Sequence, residues 1–211
     1  MIELASTAFV ILFVVIDPVG IAPMFAGLTS SDSEAERKKT ALKGVSIAGF
    51  VLLLFTLTGD AILRYLNVHT ASFSIAGGIL LFLLAIDMVL VRDSGLRSTT
   101  FREQAEAKTK TDISVFPLAI PMIAGPGSLT TILLLQDKGV YSFETVIILG
   151  VVFVVLVLTY LMLVLAVKIT SVLGETGANV ITRLFGIILA ALATQFILNG
   201  LTQTFPGWTG S

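Results

Sequence analysis

The chain of 211 residues contains no cysteine and a single histidine, His69. Disulfides and thiolate metal centres are therefore impossible, and metal sites built from several histidines are excluded as well. Charged residues make up only 13% of the sequence, against roughly 25% in an average soluble domain. The net charge is −1, so no basic excess favours nucleic acid as a partner. We therefore expect no metal site, no organic cofactor and no nucleic-acid partner.

Hydrophobic residues account for 55% of the chain and cluster into six long stretches. Each is close to the ~20 residues that an α-helix needs to cross a bilayer core. The stretches are 4–26, 42–64, 71–91, 113–135, 143–167 and 183–203. They are too long and continuous for the strands of a membrane barrel, which alternate over about ten residues. The sequence therefore predicts an all-α membrane protein whose residues 1–211 form one transmembrane domain of six helices in the lipid bilayer.

The basic residues predict how these spans are oriented. Eleven of the thirteen Lys and Arg residues fall on one side of the membrane, many of them in the polar segment 92–112. Only Arg64 and Lys138 fall on the other side. Cytoplasmic loops carry an excess of Lys and Arg. We therefore expect a cytoplasmic loop at about 92–112 and both termini outside.

Two helix-breaking dipeptides, Asp17-Pro18 and Gly125-Pro126, lie in the middle of hydrophobic stretches and are 108 residues apart. The same offset relates Gly78 to Gly186. Short Pro- and Gly-interrupted spans at matching positions in two halves are typical of transporters with inverted repeats. Three spans per half make the second half enter the membrane from the opposite face. The sequence thus predicts two inverted three-helix repeats, at about 1–91 and 113–211, each with a broken first helix.

A break at the midplane is tolerated only where the backbone is buried in protein or lines a watery cavity. Proline lacks an N–H and disfavours helix at the residue before it. Asp17 before Pro18 is also typical of a helix start, with Asp17 as the N-cap. Half-helix N-termini suit a carboxylate, and freed carbonyls suit an ammonium group, so one amino acid satisfies both. The alternative interpretation is a packing kink, because Pro and Gly are common in membrane helices.

These features predict the functional residues. The predicted substrate-binding residues are Asp17, Pro18, Gly20, Gly125, Pro126, Gly127, Ser128 and Gln195. The predicted coupling-ion residues are Asp17 and Asp87, because carboxylates within spans are costly and commonly functional. For Asp17 a purely structural cap remains open, and for Asp87 an interfacial carboxylate paired with Arg92 remains open. Ser128 has the alternative of bonding back to its own helix.

The chain resembles the MarC family of prokaryotic inner-membrane proteins, a family thought to be distantly related to LysE-type exporters. The resemblance covers essentially the whole chain. It rests on the following residues: Asp17-Pro18-x-Gly20-x-x-Pro23-x-Phe25, Pro117-Leu118-Ala119-x-Pro121 leading into Gly125-Pro126-Gly127, Gly77-Gly78, and Arg183-x-x-Gly186 leading to Ala193-x-Gln195. It implies a carrier in the inner (plasma) membrane, with both termini periplasmic. The implied substrates are small neutral amino acids such as glycine and alanine, and transport is coupled to H⁺ or Na⁺.

Two other function classes compete with transport. A non-transporting scaffold or assembly factor would be tightly packed at Asp17 and Gly125. A carrier would be hydrated at these two residues, and so would an exporter of another small solute. An intramembrane enzyme would need a catalytic set, and within the spans only Asp17 and Asp87 offer paired carboxylates. The sequence therefore predicts a transporter rather than an enzyme, with a homo-oligomer left open.

Overall fold

The structure is a computed structural model that describes residues 1–91, 113–136 and 143–205. Within these ranges the chain is helical and contains no strand. The helices are α1 (Ile2–Ile16), α2 (Pro18–Leu28), α3 (Glu34–Tyr65), α4 (Thr70–Leu90), α5 (Ser114–Ile123), α6 (Pro126–Leu135), α7 (Phe143–Val164) and α8 (Ala166–Thr204). The predicted cytoplasmic loop at 92–112 lies outside the described residues.

By length and composition, five helical stretches of the described chain can cross a membrane. They are Ile2–Leu28, Glu34–Tyr65, Thr70–Leu90, Phe143–Val164 and Ala166–Thr204. The bent pair Ser114–Ile123 and Pro126–Leu135 is a sixth if it is taken as one span. The chain is therefore a multi-pass helical membrane protein, as the hydrophobic stretches predict.

Asp17 separates α1 from α2. Its backbone is left-handed, with φ 48° and ψ 65°, a conformation that Asp tolerates better than most residues. Its N–H still donates to the carbonyl oxygen of Phe13 over 2.9 Å, and its own carbonyl accepts from the N–H of Ile21 over 3.0 Å. One residue therefore ends the first helix and begins the second.

The segment α5 is wound more widely than an α-helix. Its backbone bonds span five residues, as from the N–H of Leu118 to the carbonyl of Ile113, and Phe116 and Ile120 within it are extended. Each extended residue precedes a proline, which disfavours helical geometry at the residue before it. The axis bends by 46° between α5 and α6.

The last helix begins before the membrane span that the sequence predicts. The predicted membrane span 183–203 lies within α8, which begins at Ala166 and is interrupted only at Gly174, with φ 63° and ψ 174°. That backbone conformation is accessible essentially to glycine alone. Hydropathy measures the apolar length that a bilayer needs, so it misses helical turns that continue through polar sequence.

Helices α4 and α8 are in backbone contact. A methyl group added at Gly78 would lie 2.8 Å from the carbonyl oxygen of Ala193 and 3.0 Å from the backbone nitrogen of Ile197. One added at Gly186 would lie 2.9 Å from the backbone nitrogen of Val89. Gly186 follows Gly78 by 108 residues, and Ile197 follows Val89 by the same number. The contact therefore occurs twice, with the two helices exchanging roles.

The short helices pack against the long helices of the other half of the chain. Helix α1 contacts α7, and α2 contacts α7 and α8. Correspondingly, α5 contacts α3, and α6 contacts α3 and α4. This places the two breaks, at Asp17 and at Gly125, inside the bundle, where both residues are buried.

Candidate functional site

A cleft lies where α5 meets α6. It has an empty volume of about 190 Å³, including its open mouth. Its lining residues are Val15, Leu84, Pro121, Met122, Gly125, Gly127 and Ser128. The part of this volume that is open to a water-sized sphere is about 10 Å³, which is about what one water molecule needs. The cleft is therefore nearly closed in this structure, and a larger ligand enters it only if it widens.

The N-terminus of α6 opens into this cleft. Gly125 is its N-cap, and no side chain caps the helix. The first α-helical bond of α6 runs from the N–H of Leu129 to the carbonyl of Gly125, over 3.1 Å. The preceding N–H groups, those of Gly127 and Ser128, consequently have no acceptor within the helix, and Pro126 has no N–H. A helix N-terminus with free N–H groups favours an anionic ligand.

Asp17 caps the other short helix. Its Oδ1 accepts a hydrogen bond from the N–H of Gly20 over 3.0 Å, and its Oδ2 accepts one from Oγ1 of Thr182 over 2.7 Å. The side chain is 0% exposed and does not line the cleft. Asp17 therefore takes the N-cap position, and a substrate-binding or ion-binding role for it stays a prediction.

Ser128 lies at the cleft but its hydroxyl is engaged. Its Oγ donates to the carbonyl oxygen of Ile123 over 2.7 Å, across the break. Thr131 follows one turn later on the same helix and is 0% exposed. Its Oγ1 has no hydrogen-bond partner among the residues that the structure describes. Since residues three apart share a helix face, α6 carries an unsatisfied hydroxyl one turn beyond the cleft.

Asp87 lies on α4, 8% exposed. Leu84, which lines the cleft, precedes it by three residues and shares its helix face. The predicted alternative partner Arg92 lies outside the described residues. In residues 1–91, 113–136 and 143–205, no group of three His, Asp or Glu residues is placed to hold a metal ion.

The other predicted site residues lie partly near the cleft and partly away from it. Pro126 is exposed beside Gly125 and Gly127, while Pro18 is buried and Gly20 half-buried at the first break. The two breaks come close together through Gly127, since a methyl group there would lie 3.1 Å from Cγ1 of Val15. Gln195 is exposed on α8 and does not line the cleft.

Three residues at the site have no signal in the sequence. Val15 and Leu84 are ordinary apolar residues within spans, yet both line the cleft. Thr182 is bonded to Asp17 across 165 residues of chain. No local pattern distinguishes a membrane threonine that bonds to its own helix from one that bonds to a distant carboxyl group.

Comparison with known proteins identifies the family. The family described as "MarC family integral membrane protein" matches residues 2–205 of this chain. The UPF0056 membrane protein YvbG of Bacillus subtilis is 38% identical over 200 residues, covering 94% of each chain. The UPF0056 membrane protein YhcE of Escherichia coli is 34% identical over 203 residues, which is 94% of this chain and 92% of its own.

A relative from an archaeon is similar over nearly the same part of the chain. A UPF0056 membrane protein of Archaeoglobus fulgidus is 35% identical over 198 residues, covering 93% of this chain and 91% of its own. No solved structure matches this chain. The names of these relatives state a membrane protein and no substrate. With a family match over residues 2–205 and relatives similar along nearly their whole length, this chain belongs to the MarC family of integral membrane proteins.

Proposed function

We propose that this protein is a secondary transporter of small neutral amino acids such as glycine and alanine across the inner (plasma) membrane, coupled to H⁺ or Na⁺. The observation that carries the proposal is the uncapped N-terminus of α6, which opens into the cleft. We assign the protein no catalytic role.

A comparison of the two breaks supports binding of a carboxylate. At the first break, the carboxyl group of Asp17 occupies the N-terminus of α2. The residue 108 positions later is Gly125, which has no side chain to do the same for α6. The carboxylate of a bound amino acid would take this place, accepting hydrogen bonds from the N–H groups of Gly127 and Ser128.

The rest of the cleft supports a small neutral substrate. The end of α5 leaves carbonyl groups without helical donors, and Pro121 and Met122 at this end line the cleft. Carbonyl oxygens there suit the ammonium group. None of the seven lining residues is charged, and Val15, Leu84 and Met122 are apolar. A charged side chain on the substrate would therefore lack a partner, which is costly at this depth.

The duplicated contacts support an inverted repeat. Gly78 faces Ile197 as Gly186 faces Val89, and each residue of the second pair is related to one of the first by 108 positions. Reciprocal contacts of this kind are what a two-fold axis produces. The crossed packing of α1 on α7 and of α5 on α3 has the same symmetry. In this arrangement α1–α2 and α5–α6 are the discontinuous spans of a carrier, and the substrate binds between the repeats.

The distribution of Lys and Arg residues supports the proposed orientation of the protein in the membrane. Asp87 supports the proposed coupling to an ion. With Lys and Arg concentrated on the side of the 28–34 connection, that side is cytoplasmic and both termini are periplasmic. Asp87 is a buried carboxyl group one helical turn from the cleft residue Leu84. Carboxyl groups in this setting commonly bind H⁺ or Na⁺ in transporters.

The proposal is tested by uptake of radiolabelled alanine and glycine into proteoliposomes under imposed Na⁺ and pH gradients. We expect accumulation that depends on one of the two gradients and that unlabelled alanine inhibits. Alaninamide, which lacks the carboxylate, should not inhibit. Absence of flux from folded protein under every gradient would contradict the proposal.

The matched variants are Gly125→Asp and Gly125→Asn. Gly125 has φ −82° and ψ 176°, which any residue adopts, and both Asp and Asn are good N-caps. Only the Asp variant places a negative charge where the substrate carboxylate is proposed to bind. We expect its uptake to fall at least about tenfold below that of the Asn variant. Wild-type uptake by both variants would remove the α6 N-terminus from the site, because either side chain occupies the N–H groups that are proposed to bind the carboxylate.

One observation favours a scaffold as the second candidate function. The first break is packed, with Asp17 at 0% exposure, as expected for a scaffold. The uncapped N-terminus of α6, which lines the cleft at the second break, favours the carrier. Water accessibility of a cysteine introduced at Ser128 separates the two, since a scaffold would protect that position from a water-soluble maleimide.

A further inference from the structure

Two amide side chains are exposed on α8, within its apolar second half. Nε2 of Gln195 donates to Oδ1 of Asn199 over 2.8 Å. An amide group offers two N–H donors and a carbonyl acceptor. The carbonyl oxygen of Gln195 and the amide hydrogens of Asn199 have no further partner among the residues described. By contrast, the hydroxyl group of the neighbouring Thr194 is satisfied by the carbonyl of Ala190.

Contacts with α4 give the depth of these amides. Gly200 lies against Ile75, and Gly78 lies against Ile197. The antiparallel register therefore places Gln195 level with residue 80 of α4, which spans Thr70–Leu90. That is about 15 Å from either end of α4, at 1.5 Å per residue. Gln195 thus lies near the middle of the hydrocarbon layer.

The exposed positions in the middle of the other long helices are apolar. They include Phe50, Leu53 and Leu54 on α3, Ile79, Leu80 and Leu83 on α4, and Phe153, Val154 and Val157 on α7. An amide facing hydrocarbon lacks hydrogen-bond partners at a cost of several kcal/mol. Polar side chains in spans face protein or water instead. The Gln195 face of α8 is therefore covered by something other than lipid.

We propose that a second copy of this chain covers that face, through a two-fold axis along the membrane normal. Such an axis sets two α8 helices side by side and parallel, so that each Gln195 meets the same residue of the other copy at the same depth. An amide is both donor and acceptor, which makes the pair self-complementary. A different partner would need its own polar group at this depth, whereas a second copy brings one by symmetry.

The exposed seam of α8 fits a parallel helix pair. Its residues are Leu184, Ile188, Ala191, Gln195, Leu198 and Thr202, all exposed. Their spacing alternates four and three, as in a left-handed helix pair, where one polar residue in the seam sets the register. Ala191, one turn from the amide, allows the backbones to approach.

The absence of cysteine from the native chain makes cross-linking a direct test. Single cysteines are introduced at Ala191 and Leu198 on the seam and, as controls, at Val157 on α7 and Leu83 on α4. Native membranes are then oxidised. We expect disulfide-linked dimers from the two seam positions and little from the controls. No dimer from the seam, or equal dimer from Val157→Cys, would overturn the proposal.

Three further variants test the amide itself. In the Ala191→Cys background, Gln195→Leu should lower the dimer yield by roughly three- to thirtyfold, the range that interhelical hydrogen bonds in membranes provide. Thr194→Val is the matched control and should leave the yield unchanged. Equal yields would remove Gln195 from the interface. Rapid labelling of Gln195→Cys by a membrane-impermeant maleimide would show instead that the face lines an aqueous path, and would overturn the proposal.

Discussion

Oγ1 of Thr182 donates a hydrogen bond of 2.7 Å to Oδ2 of Asp17. Thr182 lies on α8, and Asp17 joins α1 to α2. Both are buried, with exposures of 2% and 0%. The bond ties the cap of one short helix to a long helix of the other half of the chain, so it bears on both stability and the position of α2.

Thr182→Ala should destabilise the protein by about 1–3 kcal/mol, because a buried acceptor loses its donor. Thr182→Ser keeps the hydroxyl group and is the matched control. The apparent Tm of the purified protein in detergent measures the effect. A Tm for the Ala variant equal to that of the Ser variant would show that the bond contributes nothing.

Asp17→Asn and Asp17→Ala separate a capping role from an ionic one. The Asn side chain keeps an oxygen for the N–H of Gly20 and can donate to Thr182, whereas Ala loses both contacts. We expect uptake of alanine to persist in the Asn variant and to be lost in the Ala variant, with both inserted into the membrane. Loss of uptake in both would instead assign the carboxyl group to substrate or ion binding.

Asp87→Asn should uncouple transport from its driving ion. Gradient-driven accumulation of alanine should be lost, because the amide neither titrates nor carries a charge for Na⁺. Exchange of alanine across proteoliposomes loaded with unlabelled alanine should persist, since the cleft residues are unchanged. Full accumulation in this variant would remove Asp87 from the coupling site.

Gly78→Ala should destabilise the α4–α8 contact by about 1–3 kcal/mol, as overpacking does. The added methyl group meets the backbone of Ala193 and Ile197, which cannot swing aside as a side chain does. Gly150→Ala in α7 is the control, since nothing lies within 4 Å of its added methyl group. That variant should be neutral or more stable by about 0.5–1 kcal/mol, the helix-propensity gain. Thermal unfolding of both purified variants provides the comparison, and an equal Tm would contradict close packing at Gly78.

The short-range features of the fold follow from sequence. Hydrophobic length predicts the membrane spans, because a bilayer imposes one thickness on every crossing. Asp17 before Pro18 predicts an N-cap, because the cap bond to Gly20 is local and proline restricts the residue before it. Gly125 and Gly127 at the cleft follow from the same kind of local signal.

What escapes sequence reasoning depends on long-range packing or on helical polar sequence. Thr182 becomes the partner of Asp17 only after α8 packs on α2, and Leu84 reaches the cleft only through the contact of α4 with α6. Between the predicted stretches 143–167 and 183–203, α8 continues through turns that contain polar residues, and hydropathy does not predict these turns. Gln195 lies 108 residues after Asp87, but that offset does not predict which side of a helix faces the cleft.

The glycine contacts between α4 and α8 also limit how the molecule can move. Where backbone meets backbone, no layer of side chains is left to change rotamers, so sliding or tilting of one helix against the other would break the contact at Gly78 or at Gly186. We expect these two helices to move together as one rigid body. Any opening and closing of the cleft would then belong to α2 and α6, each of which is joined to its preceding helix by only one or two residues.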